Sequence, residues 1–142
     1  MKALALIALA ILPAQCTASN VPGYPGHPKC TSSNAQVIRK EFAKDGANAE
    51  TQNWFVYVAS RESGCNYKAV YINSRTGDNL HCAFMLNARS GPLSRLGLLT
   101  LQGFTPYSVK TSMAACANAA SNLWKRCGKH LWIRGDYGCR RP

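Results

Sequence analysis

A chain of 142 residues with 46% apolar side chains is long enough to bury one core and too short for several domains. Its 17 Lys and Arg against 6 Asp and Glu give a formal net charge of +11, a field that favours polyanions such as bacterial envelopes, anionic membranes or nucleic acid. No helix-turn-helix, zinc-finger or aromatic RNA-binding signature accompanies the charge, so nucleic acid is excluded as an expected partner.

Residues 1–18 read as a cleavable secretory leader: Lys2, an apolar run from Ala3 to Ala14, then Cys16, Thr17 and Ala18, with small residues at the cleavage positions. The run is too short to span a bilayer, and bulky Gln15 disfavours a lipid anchor on Cys16. The expected location is therefore secreted or periplasmic, with residues 19–142 as a single domain, a monomer, and no stable membrane insertion. Sixteen Lys and Arg remain against six Asp and Glu once Lys2 leaves with the leader.

Cleavage also removes Cys16 and leaves Cys30, Cys65, Cys82, Cys116, Cys127 and Cys139, an even set that predicts disulfides and an oxidising compartment. Metal ligation is the competing use. No C-x-x-C occurs and His27, His81 and His130 fall at no regular ligand spacing, so neither a metal nor another cofactor is expected. If one continuous helix carries both Cys116 and Cys127, their eleven-residue separation spans roughly 16 Å, beyond the reach of a disulfide.

Residues 19–30, SNVPGYPGHPKC, suit an extended arm tied down at Cys30. Ser33 and Gln36 form a capping box, and Ala35, Ile38 and Phe42 mark the inner face of a helix that Gly46 can end. A second helix is predicted over about 52–63, capped by Thr51 and closed by Gly64 in the left-handed conformation that glycine adopts cheaply. Trp54, Phe55, Val58, Ala59 and Glu62 recur in it at three- and four-residue spacing, so Glu62 continues the apolar stripe.

Burial beside Phe55 and Val58 and the negative end of the helix dipole would both oppose ionisation of Glu62. Arg61 is expected to point elsewhere, because adjacent helical residues diverge. A carboxylic acid that keeps its proton near neutral pH can donate it to a leaving oxygen, as acid catalysis of glycoside cleavage requires; the lysozyme glutamate in its hydrophobic pocket is the established example of this tuning. The plainer alternative is a helix-end glutamate that bends out to solvent.

From Lys68 to Asn87 the helical period disappears. AVYIN and LHCAFMLN are apolar runs separated by the turn formers SRTGDN, which predicts a small hairpin. Pro92, Leu93, Leu96 and Leu99 restart a helix that stops near Gly103. Met113, Cys116, Ala117, Ala120, Leu123, Trp124 and Cys127 then form the cleanest helical stripe in the chain, closed by Gly128 and expected to be a core helix. The tail KHLWIRGDYGCRRP reads as loop. Its Arg134-Gly135-Asp136 spells a cell-adhesion tripeptide whose three common residues recur by chance.

RESGCNYKAV, then TGDN and Asn87, then the late ANAASNLWKRCGKHLW resemble in order the lysozyme-like superfamily, closest to its bacterial and phage lytic transglycosylase and lysozyme branch. The resemblance covers roughly residues 50–140, and Glu62-Ser63 is its most specific part. It implies an α+β lysozyme-like fold, mainly helical with a small β-hairpin region, that cleaves the glycan strands of peptidoglycan. Glu62 would be the general acid and Ser63 would help to position the sugar or the glutamate. In the transglycosylase branch the same glutamate returns as base, so one carboxylate suffices.

The chain departs from the family pattern at one place. Where members carry a Y-G-L-M-Q-I-N type segment, it reads His81-Cys82-Ala83-Phe84-Met85-Leu86-Asn87, with only Asn87 matching. Leu80 stands where animal-type lysozymes have a second carboxylate; Asp78 is the nearest candidate for that role, although SRTGDN equally suits it as a turn residue. An imidazole at His81 near Glu62 would hold a sugar hydroxyl or a water, the alternative being a partly exposed loop histidine. Tyr71, Tyr107, Trp124 and Trp132 are candidate sugar platforms. Tyr107 and the loop residue Trp132 suit a cleft better than Trp124, which is expected in the core.

The expected substrate-binding set is thus Ser63, Asp78, His81, Asn87, Tyr107 and Trp132 around catalytic Glu62, with peptidoglycan glycan strands as the partner and anionic envelope polymers as a further match to the charge. A non-catalytic envelope-binding module of the same fold, and a cationic membrane-disrupting antibacterial protein, are the competing functions.

Overall fold

The computed structural model describes residues 30–88 and 103–133. The expected leader, most of the expected extended arm, the helix predicted from Pro92, the Arg134-Gly135-Asp136 tripeptide and Cys139 lie outside the described residues.

Helix α1 spans Ser32–Lys44 and helix α2 Ala49–Ser63. Their caps fall two or three residues before the predicted ones. Thr31, not Ser33, accepts from the Asn34 N–H at 3.2 Å, and Asn48, not Thr51, accepts from the Thr51 N–H at 2.9 Å. Ala35, Ile38 and Phe42 are buried as the spacing predicts, and Gly64 closes α2 with φ +67°.

The predicted hairpin is present and extended by a third strand. Strand β1 (Val70–Asn73) pairs antiparallel with β2 (Asp78–His81), which pairs antiparallel with β3 (Leu86–Asn87), in the order β1-β2-β3. The run LHCAFMLN is therefore two strands broken by a turn at Cys82–Met85, where the Met85 N–H donates to the Cys82 carbonyl at 3.1 Å. Asp78 begins β2 instead of lying in the turn before it.

Helix α3, Met113–Cys127, realises the long stripe: Met113, Cys116, Ala117, Ala120, Leu123 and Cys127 are buried. A 3-10 turn at Ser108–Lys110 leads into it. The tail expected as loop forms one further turn of helix, α4, His130–Ile133. Mixed helices with a small antiparallel sheet make this an α+β fold, and disulfides join its parts: Cys30–Cys65 links the start of α1 to the end of α2, Cys82–Cys116 links the sheet to α3, and Cys127 is also disulfide-bonded. As the helix geometry requires, Cys116 and Cys127 are not partners.

The core is aromatic. Phe42 of α1 stacks on Phe55 of α2 with ring centroids 3.9 Å apart, Phe84 of the turn lies 5.9 Å from Phe42 and 6.1 Å from Phe55, and Trp132 of α4 meets Phe55 edge-on at 4.9 Å. One ring from each of four chain segments thus meets in one cluster, which fixes the end of α2 against the turn that follows β2.

Candidate active site

Glu62 lies in the last turn of α2, yet it does not continue the buried stripe. Its side chain is 27% exposed, and the Arg61 guanidinium stands on it: Nη2 donates to Glu62 Oε1 at 2.6 Å and Nε to the same oxygen at 3.2 Å. The expectation that Arg61 would point away is overturned. Consecutive helical side chains leave the axis about 100° apart, but an arginine stem is long enough to curl back, and a second bond from Nη2 to the Trp132 carbonyl at 3.2 Å holds it there. The wholly apolar surround predicted for the carboxylate is replaced by a half-open one with a counter-charge. Both guanidinium bonds fall on Oε1; Oε2 accepts no hydrogen bond among the described residues.

Ser63 is committed to the scaffold. Its hydroxyl contacts the Ala59 carbonyl at 3.3 Å and the Ala83 carbonyl at 3.1 Å as donor, and accepts from the Asn66 N–H at 3.1 Å. It thereby ties the end of α2 to the turn after β2, and acts on Glu62 by fixing the helix end that carries it. Asp78 is likewise engaged: Oδ2 accepts from Thr76 Oγ1 at 2.6 Å and Oδ1 from Asn87 Nδ2 at 2.8 Å. Asn87, buried in β3, also accepts from the Asn79 N–H at 3.1 Å, so its amide knits β3 to β2.

No protein-family model, curated protein or solved structure matches the chain.

The remaining candidates divide sharply. His81 is not a loop histidine: it ends β2, is only 6% exposed, and neither ring nitrogen has a hydrogen-bond partner among the described residues. Burial, reinforced by the positive charge of Lys110, lowers its pKa from the usual 6.5, so the neutral imidazole is favoured. No hydrogen bond joins it to Glu62. Trp132 is not a cleft platform either. It is buried in the aromatic cluster, with Nε1 donating to the Phe84 carbonyl at 3.2 Å, while Trp124, expected in the core, is only partly buried. Tyr107 is 81% exposed on the surface before the 3-10 turn.

The segment from His81 to Asn87 has a structural role that sequence reasoning missed. Cys82 adopts the left-handed backbone, φ +61°, that a glycine would take without cost. For another residue this conformation costs about 1–2 kcal/mol, and here the disulfide to Cys116 holds it. The Ala83 N–H donates to Cys116 Sγ at 3.1 Å, the Ala83 carbonyl receives Ser63, and the Phe84 carbonyl receives Trp132. The turn is thus joined to α2, α3 and α4 at once. The pairing of Cys82 with an apolar Ala-Phe was the available signal for such a role.

Proposed function

We propose that the chain is a secreted enzyme that cleaves the glycan backbone of peptidoglycan, with Glu62 as its single general acid and base. The observation that carries this reading is the state of the carboxylate. Arg61 orients one oxygen and the other accepts no hydrogen bond among the described residues, at a helix end anchored through Ser63 to the turn after β2. A carboxyl group held by one oxygen can carry its proton on the other, give it to a glycosidic oxygen and, once ionised, take one from the attacking hydroxyl. The likeness of RESGCNYKAV and the downstream segments to lytic transglycosylases and lysozymes supports the substrate class.

A two-carboxylate mechanism is disfavoured, because Leu80 offers no charge and both oxygens of Asp78 are already bonded. Glu62 then serves twice: it gives its proton to the departing sugar and takes one from the attacking hydroxyl. With an internal sugar hydroxyl as nucleophile, the product is an anhydro-sugar. Exposed Tyr107 is available as a platform; the exported location follows from the leader-like segment and fits a disulfide-bonded chain.

A second reading is favoured by the Arg61–Glu62 ion pair itself, which engages the carboxylate: a non-catalytic protein that binds the cell envelope through its cationic surface. Purified sacculi incubated with the wild type and with Glu62→Gln separate the two. Release of soluble muropeptides by the wild type alone, with binding kept by both, supports the enzyme; equal binding with no release by either supports the second reading. Killing of cells that is independent of Glu62, without muropeptides, identifies a membrane-disrupting protein instead. Mass spectrometry of the products distinguishes anhydro-sugar from hydrolysed ends.

A further inference from the structure

Among the described residues strand β1 forms an edge of the sheet, and it exposes three consecutive apolar or aromatic side chains: Val70 is 48%, Tyr71 52% and Ile72 68% exposed. Isolated exposed apolar residues are ordinary, but a contiguous run on an open edge marks a surface that something covers. The register places Val70 and Ile72 opposite His81 and Asn79 on one face, with Tyr71 opposite Leu80 on the other. A flat protein partner laid on either face would leave part of this run in water, whereas a liquid interface surrounds it.

The flanking charges narrow the choice. Lys68 and Arg75, both exposed, bracket the strand, and residues 63–77 contain no Asp or Glu. A second copy paired antiparallel about the centre of β1 would set Lys68 of each chain against Arg75 of the other, opposing like charges at both ends. An anionic lipid surface reverses that sign. Basic residues at the headgroups and apolar or aromatic residues at the acyl boundary are the combination that binds such an interface. The backbone groups of the edge that have no strand partner among the described residues limit the depth, because they require water or headgroups as partners.

We infer that the β1 edge is a docking surface for an anionic phospholipid bilayer, with Val70, Tyr71 and Ile72 entering the interface and Lys68 and Arg75 meeting the headgroups. The contact is peripheral: none of the described helices is long and apolar enough to cross a membrane. It also does not depend on Glu62, so it stands or falls apart from glycan cleavage.

The test is co-sedimentation of the disulfide-bonded protein with vesicles of phosphatidylcholine alone and with vesicles of equal parts phosphatidylcholine and phosphatidylglycerol, which contain no glycan. The wild type is expected on the anionic vesicles only. Tyr71→Ser/Ile72→Ser is expected to lower its partition about tenfold or more, since both side chains stand in water without the membrane. Lys68→Gln/Arg75→Gln, which spares the strand itself, should also weaken it about tenfold or more. Ile133→Ser, an exposed apolar residue outside the sheet, should bind as the wild type does. Absence of anionic binding, or equal partition of the wild type and Tyr71→Ser/Ile72→Ser, overturns the proposal, the latter showing that overall charge alone suffices. So does a wild-type dimer that the same double substitution dissociates, which would assign the edge to a second copy.

Discussion

Glu62 and His81 carry opposite surroundings from those their neighbours in sequence suggest. The glutamate, set in an apolar stripe, stands half open with a guanidinium on one oxygen; the histidine, beside turn formers, is buried with neither nitrogen partnered among the described residues. What separates them is the element on which each sits. A helix end can release its last side chain towards solvent, whereas a strand between two others, followed by a turn pinned by a disulfide and a phenylalanine, encloses whatever it carries.

The enclosed side of this contrast should break first. Phe84→Ala removes the ring that joins α1, α2 and α4 at the turn, and is expected to cost about 3–5 kcal/mol in denaturant unfolding. A cost below about 1 kcal/mol would show that the turn is not a packed part of the core. On the open side, Glu62→Gln should lower muropeptide release at least about a hundredfold, equivalent to about 2.7 kcal/mol of barrier, while leaving unfolding free energy nearly unchanged. Comparable losses of activity and stability would make Glu62 a structural residue.

His81→Leu replaces a buried imidazole that has no hydrogen-bond partner among the described residues by an apolar group, and is expected to raise stability by about 1 kcal/mol at neutral pH. The pH dependence gives an independent check. Because the folded-state pKa of His81 is lowered, the unfolded chain binds the proton first as the pH falls. This contribution is fully retained above about pH 6.5 and is lost progressively as pH drops from there through the folded-state pKa. Unfolding midpoints followed downward from neutral pH should therefore decline more steeply in the wild type than in His81→Leu; parallel curves would remove the histidine from the acid response. The smallest effect belongs to Arg61→Gln, whose partly exposed ion pair should change stability by less than about 0.5 kcal/mol in the same unfolding assay.

Regular patterns were the legible part of this sequence. The stripe from Met113 to Cys127 has one interpretation, the period of a helix with one buried side, and the exclusion of a Cys116–Cys127 bridge follows from its rise alone. Gly64 declares the end of α2 because few residues tolerate its backbone angle. Caps were less specific: Thr31, Ser33, Asn48 and Thr51 all carry an acceptor close to a helix start, and only the path of the chain selects among them.

The site was harder to read because its environments come from distant contacts. Trp132 was expected in a cleft since one turn of helix is too short to show a period, and its burial depends on Phe55 and Phe84, remote in sequence. Arg61 reaches back to Glu62 with help from a carbonyl 71 residues away. Ser63, Asp78 and Asn87 read in the sequence as polar groups for a substrate, and each is engaged in bonds that join pieces of the scaffold.

Cys30–Cys65 and Cys82–Cys116 close rings of sequence separation 35 and 34 that follow one another along the chain without interlacing. A polypeptide that emerges amino end first can therefore lock the first ring before either cysteine of the second has emerged. Oxidation can keep pace with synthesis, and neither bond has to be undone to let the other form.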